Sequence, residues 1–143
     1  MSRLEKLINA LKEKDFDAAI VSSEISQRYL SDFAYSDGYI LIANQKAYLL
    51  TDFRYEEAAK AKASKHFEVL CPDCGMLVCI AGLLAENGCK RVAIEEKQVS
   101  LADLERFKKA IPDAELAGGA SAILEALRVF KDEDELATME AAQ

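Results

Sequence analysis

Cys71-Pro72-Asp73-Cys74 is the densest group of chemically active side chains in the sequence, a C-x-x-C pair followed by Cys79 and Cys89. Such a pair can ligate zinc or carry out thiol–disulfide exchange. A zinc ribbon needs a second close pair, but Cys79 and Cys89 are ten residues apart and no histidine stands at ligand spacing. The redox alternative has one physical support: the pair lies between a predicted strand and a predicted helix, and a helix N-terminus lowers a thiol pKa. Against it, a thioredoxin-like domain places its motif after an early strand, with an aromatic or glycine between the cysteines, whereas four predicted strands precede this pair. Unreactive cytosolic thiols are the preferred reading, with redox chemistry and metal ligation as alternatives. The single histidine, His66, lies between Lys65 and Phe67 with no cysteine or carboxylate at ligand spacing. It reads as solvated or locally hydrogen-bonded, and one imidazole excludes any mechanism within this chain that needs two. The acidic run Asp132 to Glu135 suits a helix start, because consecutive carboxylates on a helix point in different directions. No G-x-G-x-x-G, P-loop, nucleophile elbow or H-E-x-x-H occurs. Residue by residue, the chain holds no complete active site.

The elements that position these side chains follow from periodicity and punctuation. Ser2 with Glu5 makes a capping box for a helix to about Lys14, with Leu4, Leu7, Ile8 and Leu11 on one face. Ala18 to Val21 is too short for a helix and reads as a fully buried strand. Ser23 or Glu24 opens a helix carrying Ile25, Tyr29 and Leu30, which the polar cluster Ser31 to Gly38 ends. Gly38–Ala43 and Lys46–Thr51 are β-rich runs separated by Asn44-Gln45, the spacer of a tight antiparallel hairpin. An alanine-rich helix from Tyr55 to Ser64, a strand from Phe67 to Leu70 and a helix from Gly75 to Glu86 follow. That last helix is apolar on nearly every side, which implies burial on more than one face or an unseen partner. A strand at Arg91–Glu95, a helix capped by Ser100 and Asp103, a weak strand at Ala114–Ala117 and a helix from Gly118-Gly119 through Leu127 complete the pattern. Together they predict an α/β domain: a mixed sheet of about six strands including a central hairpin, with helices on both faces. Asp132 with Glu135 caps a further helix whose stripe Leu136, Met139 and Ala142 stops at Gln143. The expectation is a domain over residues 1–130, with 131–143 the start of an interdomain helix.

Charge and composition narrow the partners. Twenty-five acids against eighteen bases give a net charge of −7 and a pI near 4.8. That field repels phosphate backbones and anionic lipid, so neither nucleic acid nor membrane is an expected partner. The longest apolar run, Met76 to Ala85, is ten residues broken by Gly82, against the ~20 a spanning helix needs. The opening Met1-Ser2-Arg3-Leu4-Glu5-Lys6 interleaves charge where a secretory signal would be apolar. A cytoplasmic location is expected.

Three segments resemble the N-terminal domain of the creatinase, prolidase and aminopeptidase P family. Tyr29-Leu30-Ser31-Asp32-Phe33 is similar to the family's Tyr-Leu-Thr-Gly-Phe, with Asp32 where the family usually has glycine. Thr51-Asp52-Phe53-Arg54-Tyr55 resembles its Thr-Asp-x-Arg-Tyr, and Leu127-Arg128-Val129-Phe130-Lys131 through Glu135 to Ala141 resembles its Leu-Arg-x-x-Lys, Glu, Ala signature at the domain boundary. Cys71-x-x-Cys74 belongs to no signature of that family.

The resemblance implies a two-domain parent. Its C-terminal half has a pita-bread fold, binds two divalent metal ions of the Mn, Co or Zn class through two Asp, one His and two Glu, and usually hydrolyses the bond before proline. None of those ligands is assigned in this chain. The implied role here is non-catalytic: shaping access for short proline-containing peptides, and homodimerisation. The candidate substrate-access residues are Tyr35, Asp37, Arg54 and Tyr55. A phenol at Tyr35 can stack on a proline ring, a carboxylate at Asp37 can meet a dipeptide amine, and Arg54 can bind a carboxylate bidentately. The competing roles are a plain turn at Asp37-Gly38 and a structural ion pair between Arg54 and Asp52. From other classes, the alternatives are a pseudoenzyme protein-binding module of the same fold and a small C-x-x-C redox protein.

Overall fold

The apolar runs form the strands that the alternation of strand and helix predicts. The computed structural model describes residues 3–32, 38–63, 66–73 and 75–128. Ser2, Tyr35, Asp37, Cys74 and the expected helix at 131–143 lie outside the described residues. In chain order the elements are α1 (Arg3–Glu13), β1 (Ala18–Val21), α2 (Glu24–Ser31), β2 (Tyr39–Ala43), β3 (Lys46–Leu50) and α3 (Glu56–Ala63). There follow β4 (Glu68–Leu70), α4 (Met76–Glu86), β5 (Arg91–Ile94), α5 (Leu101–Ala110) and β6 (Glu115–Gly118), then a helix over 120–128, here α6.

The six strands make one sheet in the order β4-β3-β2-β1-β5-β6. β2 is antiparallel to both β1 and β3, while β1 with β5, β5 with β6 and β3 with β4 are parallel. Five strands therefore point one way and β2 alone runs back, as the hairpin requires. The hairpin turns at Asn44, whose φ of 57° lies in the left-handed region that asparagine tolerates. Its side chain donates to the carbonyl of Asn87 at 2.7 Å.

The sheet separates two cores because successive side chains point to opposite faces. Ala19, Val21, Ile40, Ile42, Leu49 and Ala93 pack on one face, under α1, α2, α3 and α6. Ala18, Ile20, Leu41, Leu50, Val92 and Ile94 pack on the other, under α4 and α5. Covering on both faces is why β1 is four consecutive apolar residues rather than an alternating run. α4 buries Ile80 and Leu84 and leaves Val78 exposed. Its continuous apolarity thus reflects one sheet-facing side and one outward side, not burial all round.

α5 starts as its caps predict, with Ser100 Oγ accepting from the Asp103 N–H at 3.1 Å. The weak sixth strand lies one residue later than expected, with Gly118 paired to Ile94. Gly119 follows at φ 147°, and a Cβ there would meet the Phe16 ring at 3.0 Å. Only glycine lets the chain turn into α6 at that approach.

Candidate functional site

Because five strands are parallel, the residues that follow β1, β3, β4, β5 and β6 all emerge at one edge of the sheet, where β2 begins. In open α/β sheets ligands bind beyond these carboxyl ends, at the point where the strand order reverses. Here that point lies between β1 and β5. Four large apolar side chains stand out from this edge, Ile25 after β1, Phe53 after β3, Val78 after β4 and Leu101 after β5, each between 59% and 83% exposed. Among the described residues these are the exposed large hydrophobics, and each belongs to the turn or first helical turn after a strand.

The Thr51-to-Tyr55 segment forms a turn closed on Asp52. The Arg54 N–H donates to Asp52 Oδ1 at 3.0 Å, and its guanidinium donates to Oδ2 through Nε at 3.1 Å and Nη2 at 2.6 Å. The Tyr55 N–H donates to the Asp52 carbonyl at 3.2 Å, and the guanidinium lies 5.3 Å from the centre of the Tyr55 ring. The hydrogen bonds from Arg54 hold the Asp52 carboxyl below its ordinary pKa. Arg54 and Tyr55 are thus brought together, with the ion pair to Asp52 present and the guanidinium half-exposed. This turn also explains why α3 begins at Glu56 rather than at the expected Tyr55.

The Tyr29-to-Asp32 segment is a clamp between the start of α1 and the last described turn of α6. Asp32 caps α2 in the left-handed region at φ 56°, its N–H bonded to the Arg28 carbonyl. That geometry favours glycine and is tolerated by aspartate. Here Asp32 also pairs with Arg3 at 2.8 Å. Arg3 donates to the Tyr29 carbonyl at 2.6 Å, and the Tyr29 hydroxyl donates to the Leu127 carbonyl at 3.1 Å.

Between β1 and β5 lies a group that sequence reasoning missed. Glu95, 2% exposed, accepts from the N–H of Ser22 at 2.8 Å and of Ser23 at 2.9 Å through Oε1. Its Oε2 accepts from the hydroxyls of Ser23 at 2.8 Å and Ser26 at 2.9 Å. Arg128 Nη1 donates to the same Ser26 hydroxyl at 3.1 Å. A glutamate ending an apolar strand, set against Ser22-Ser23-x-x-Ser26 at a helix start, is the signal that could have found it. Beside it a cleft of about 530 Å³ opens between α2 and α5, lined by Ser22, Ser23, Gln27, Tyr39, Arg106 and Phe107 among others. Gln27 Nε2 donates to the carbonyls of Ser22 and Gly38, both at 3.0 Å. Gln27 Oε1 and Thr51 Oγ1 are buried with no hydrogen-bond partner among the described residues.

Cys71 also reaches this edge, after β4, as a free thiol. Partial burial raises its pKa, and the carboxylates of Glu56, Asp73 and Asp52 push the same way, with Lys60 opposing. A redox or catalytic cysteine needs the opposite shift. Cys71 should therefore alkylate with iodoacetamide at pH 7.5 more slowly than free cysteine, its rate still climbing with pH above the ordinary thiol pKa of about 8.5, where that of free cysteine levels off. Peptide mapping of the alkylated chain measures this, and titration below ~7 would return the redox reading. Among the described residues no three His, Cys, Asp or Glu side chains are grouped to hold a metal ion. No described helix is long and apolar enough to cross a membrane.

The fold and this edge define a class: a mixed, mostly parallel α/β sheet whose α1–α2–α6 clamp and carboxyl-edge turn are built from the segments singled out by sequence. The creatinase/prolidase N-terminal domain model matches residues 3–130, and the chain belongs to that family. It is 31% identical over 140 residues to the uncharacterized peptidase YqhT of Bacillus subtilis (strain 168), covering 98% of this chain and 39% of that protein. The structure is similar to the Xaa-Pro dipeptidase from Bacillus anthracis, with a TM-score of 0.81 at 29% identity over 88% of this chain and 35% of that one. It is also similar to the N-terminal domain of the cytoplasmic peptidase PepQ from Mycobacterium tuberculosis H37Rv, with a TM-score of 0.78 at 29% identity over 87% and 97%. The chain thus spans well under half the length of its full-length relatives.

Proposed function

We propose that this chain is the non-catalytic N-terminal domain of a metal-dependent Xaa-Pro peptidase, shaping access to a catalytic part that follows it. The single observation behind this reading is the polarised edge: exposed Ile25, Phe53, Val78 and Leu101 stand at the carboxyl ends of the strands with the Asp52–Arg54 turn. Apolar side chains gathered at one edge suit a docking surface, and half-exposed Arg54 suits the carboxylate of a short peptide. In this reading Tyr35, Asp37, Arg54 and Tyr55 face the peptide. Residues 131–143 start the interdomain helix, and the catalytic part holds two divalent ions of the Mn, Co or Zn class. Homodimerisation uses the outward side of α4, which carries no charge from Met76 to Ala85 in a chain of net charge −7. A cytoplasmic setting agrees with the description of the mycobacterial relative.

The test is a chimera in which this chain replaces the corresponding N-terminal segment of the Bacillus anthracis dipeptidase, assayed on Xaa-Pro dipeptides with added Mn²⁺. The chimera should hydrolyse them and the isolated chain should not. Arg54→Ala, Tyr35→Ala and Asp37→Asn should each lower kcat/KM about tenfold, roughly 1.4 kcal/mol, with melting almost unchanged. Hydrolysis by the isolated chain would overturn the non-catalytic role. Unchanged kinetics in all three variants would overturn the substrate-access role and favour a protein-binding module.

A further inference from the structure

We propose that Glu95 is a built-in ligand for the anion seat at the start of α2, and that Ser26 relays its hold to Arg128 and so sets where the chain leaves the domain. The seat is assembled from the groups that bind external anions in other α/β domains: successive backbone N–H groups and hydroxyls at a helix N-terminus, beyond the carboxyl end of β1 at the reversal of strand order. In this chain all four donors, the N–H groups of Ser22 and Ser23 and the hydroxyls of Ser23 and Ser26, converge on one internal carboxylate. The protein supplies the anion from the end of the neighbouring parallel strand, so the seat is closed to solutes while the cleft beside it stays open.

The relay has a fixed direction. Ser26 spends its proton on Glu95 Oε2, which leaves its lone pairs to accept from Arg128 Nη1. Carboxylate, hydroxyl and guanidinium thus form one polarised chain, each bond strengthening the next. The adjacent bond from the Tyr29 hydroxyl to the Leu127 carbonyl fixes the same turn of α6 a second time. α2 therefore holds the last described turn of α6 through two neighbouring residues, and Glu95 holds the start of α2. Glu95, Ser26 and Arg128 are positioning residues for whatever follows residue 128.

The experiment uses the full chain. In Glu95→Ala the removed group has the size of acetate. Added sodium acetate should raise the melting temperature of the variant saturably, while sodium chloride at equal ionic strength should not and the wild type should show no such response. If that variant fails to fold, refolding it in acetate should recover folded protein. Ser26→Ala cuts only the relay, leaving Glu95 three donors. It should speed hydrogen exchange of the 120–128 amides at least tenfold and shift the Arg128 side-chain Nε–H resonance, with β1 and β5 protected as before; Arg128→Lys should speed the same amides. Absence of an acetate-specific recovery would overturn the seat. Unchanged exchange and an unchanged Arg128 resonance in Ser26→Ala would overturn the relay.

Discussion

Glu95→Gln should destabilise the domain by about 3 kcal/mol, although the side chain keeps its shape and the substitution removes a charge from a buried place. The reason is a mismatch of protons. Two backbone N–H groups face Oε1, so an amide NH₂ on that side would oppose donor to donor. On the other side the hydroxyls are already committed: Ser23 Oγ accepts from the Ser26 N–H at 3.3 Å, and Ser26 Oγ accepts from Arg128. Their protons are what Glu95 receives, so an NH₂ there would force both bonds to reorganise. Hydrogen bonds to a charged acceptor contribute ~1.5–3 kcal/mol each, and a buried donor left unsatisfied costs ~1–3. Losing one or two of the four bonds gives the expected figure. Urea unfolding of the variant measures it, and a change below about 1 kcal/mol would show that the carboxylate is not held as its geometry indicates.

Why this carboxylate stayed hidden in the sequence while most of the fold did not is a matter of range. β1 was legible because a sheet covered on both faces asks for an unbroken apolar run, and Ala18 to Val21 is one. The hairpin was legible from Asn44, and α5 from Ser100 with Asp103, because turn and cap chemistry acts over two or three residues. The helix α4 was legible as an element but not in its surroundings: its apolar sequence fits two covered sides equally with one covered side and one outward. The start of α3 moved by one residue because Asp52 captures the backbone of Arg54 and Tyr55. Glu95, by contrast, meets donors 69 to 73 positions away, and Arg128 meets Ser26 across 102. No window of local pattern contains both partners. The resemblance had marked the segments around Tyr29 and Leu127 without giving them a physical task. The structure supplies one, a hydrogen bond that ties them together.

Phe107→Ala should cost about 3–5 kcal/mol, and it should also alter an ionisation. Phe107 is a large, fully buried side chain in the core beneath α4 and α5. Its ring meets that of Tyr39 edge to face, with centroids 6.0 Å apart and planes at 71°. Tyr39 begins β2 and lines the cleft, and burial raises its phenol above the ordinary pKa, with Arg106 opposing and Asp103 assisting. The folded protein thus retains this proton over a pH range in which the unfolded chain loses it. The associated stability is complete below about pH 10, the unfolded value, and is lost as pH rises through the folded pKa. Removing Phe107 admits water beside the phenol, so the Tyr39 pKa should fall back toward 10 and the alkaline loss of stability should shrink. Arg106→Ala should act in the opposite direction, removing a charge that favours the phenolate and raising the Tyr39 pKa further. Tyrosine ring resonances followed from pH 8 to 12 separate Tyr39 from the other four tyrosines. If the Tyr39 titration is unmoved in a folded Phe107→Ala protein, Phe107 does not shield the phenol, and the cleft between α2 and α5 is already wet beside Tyr39.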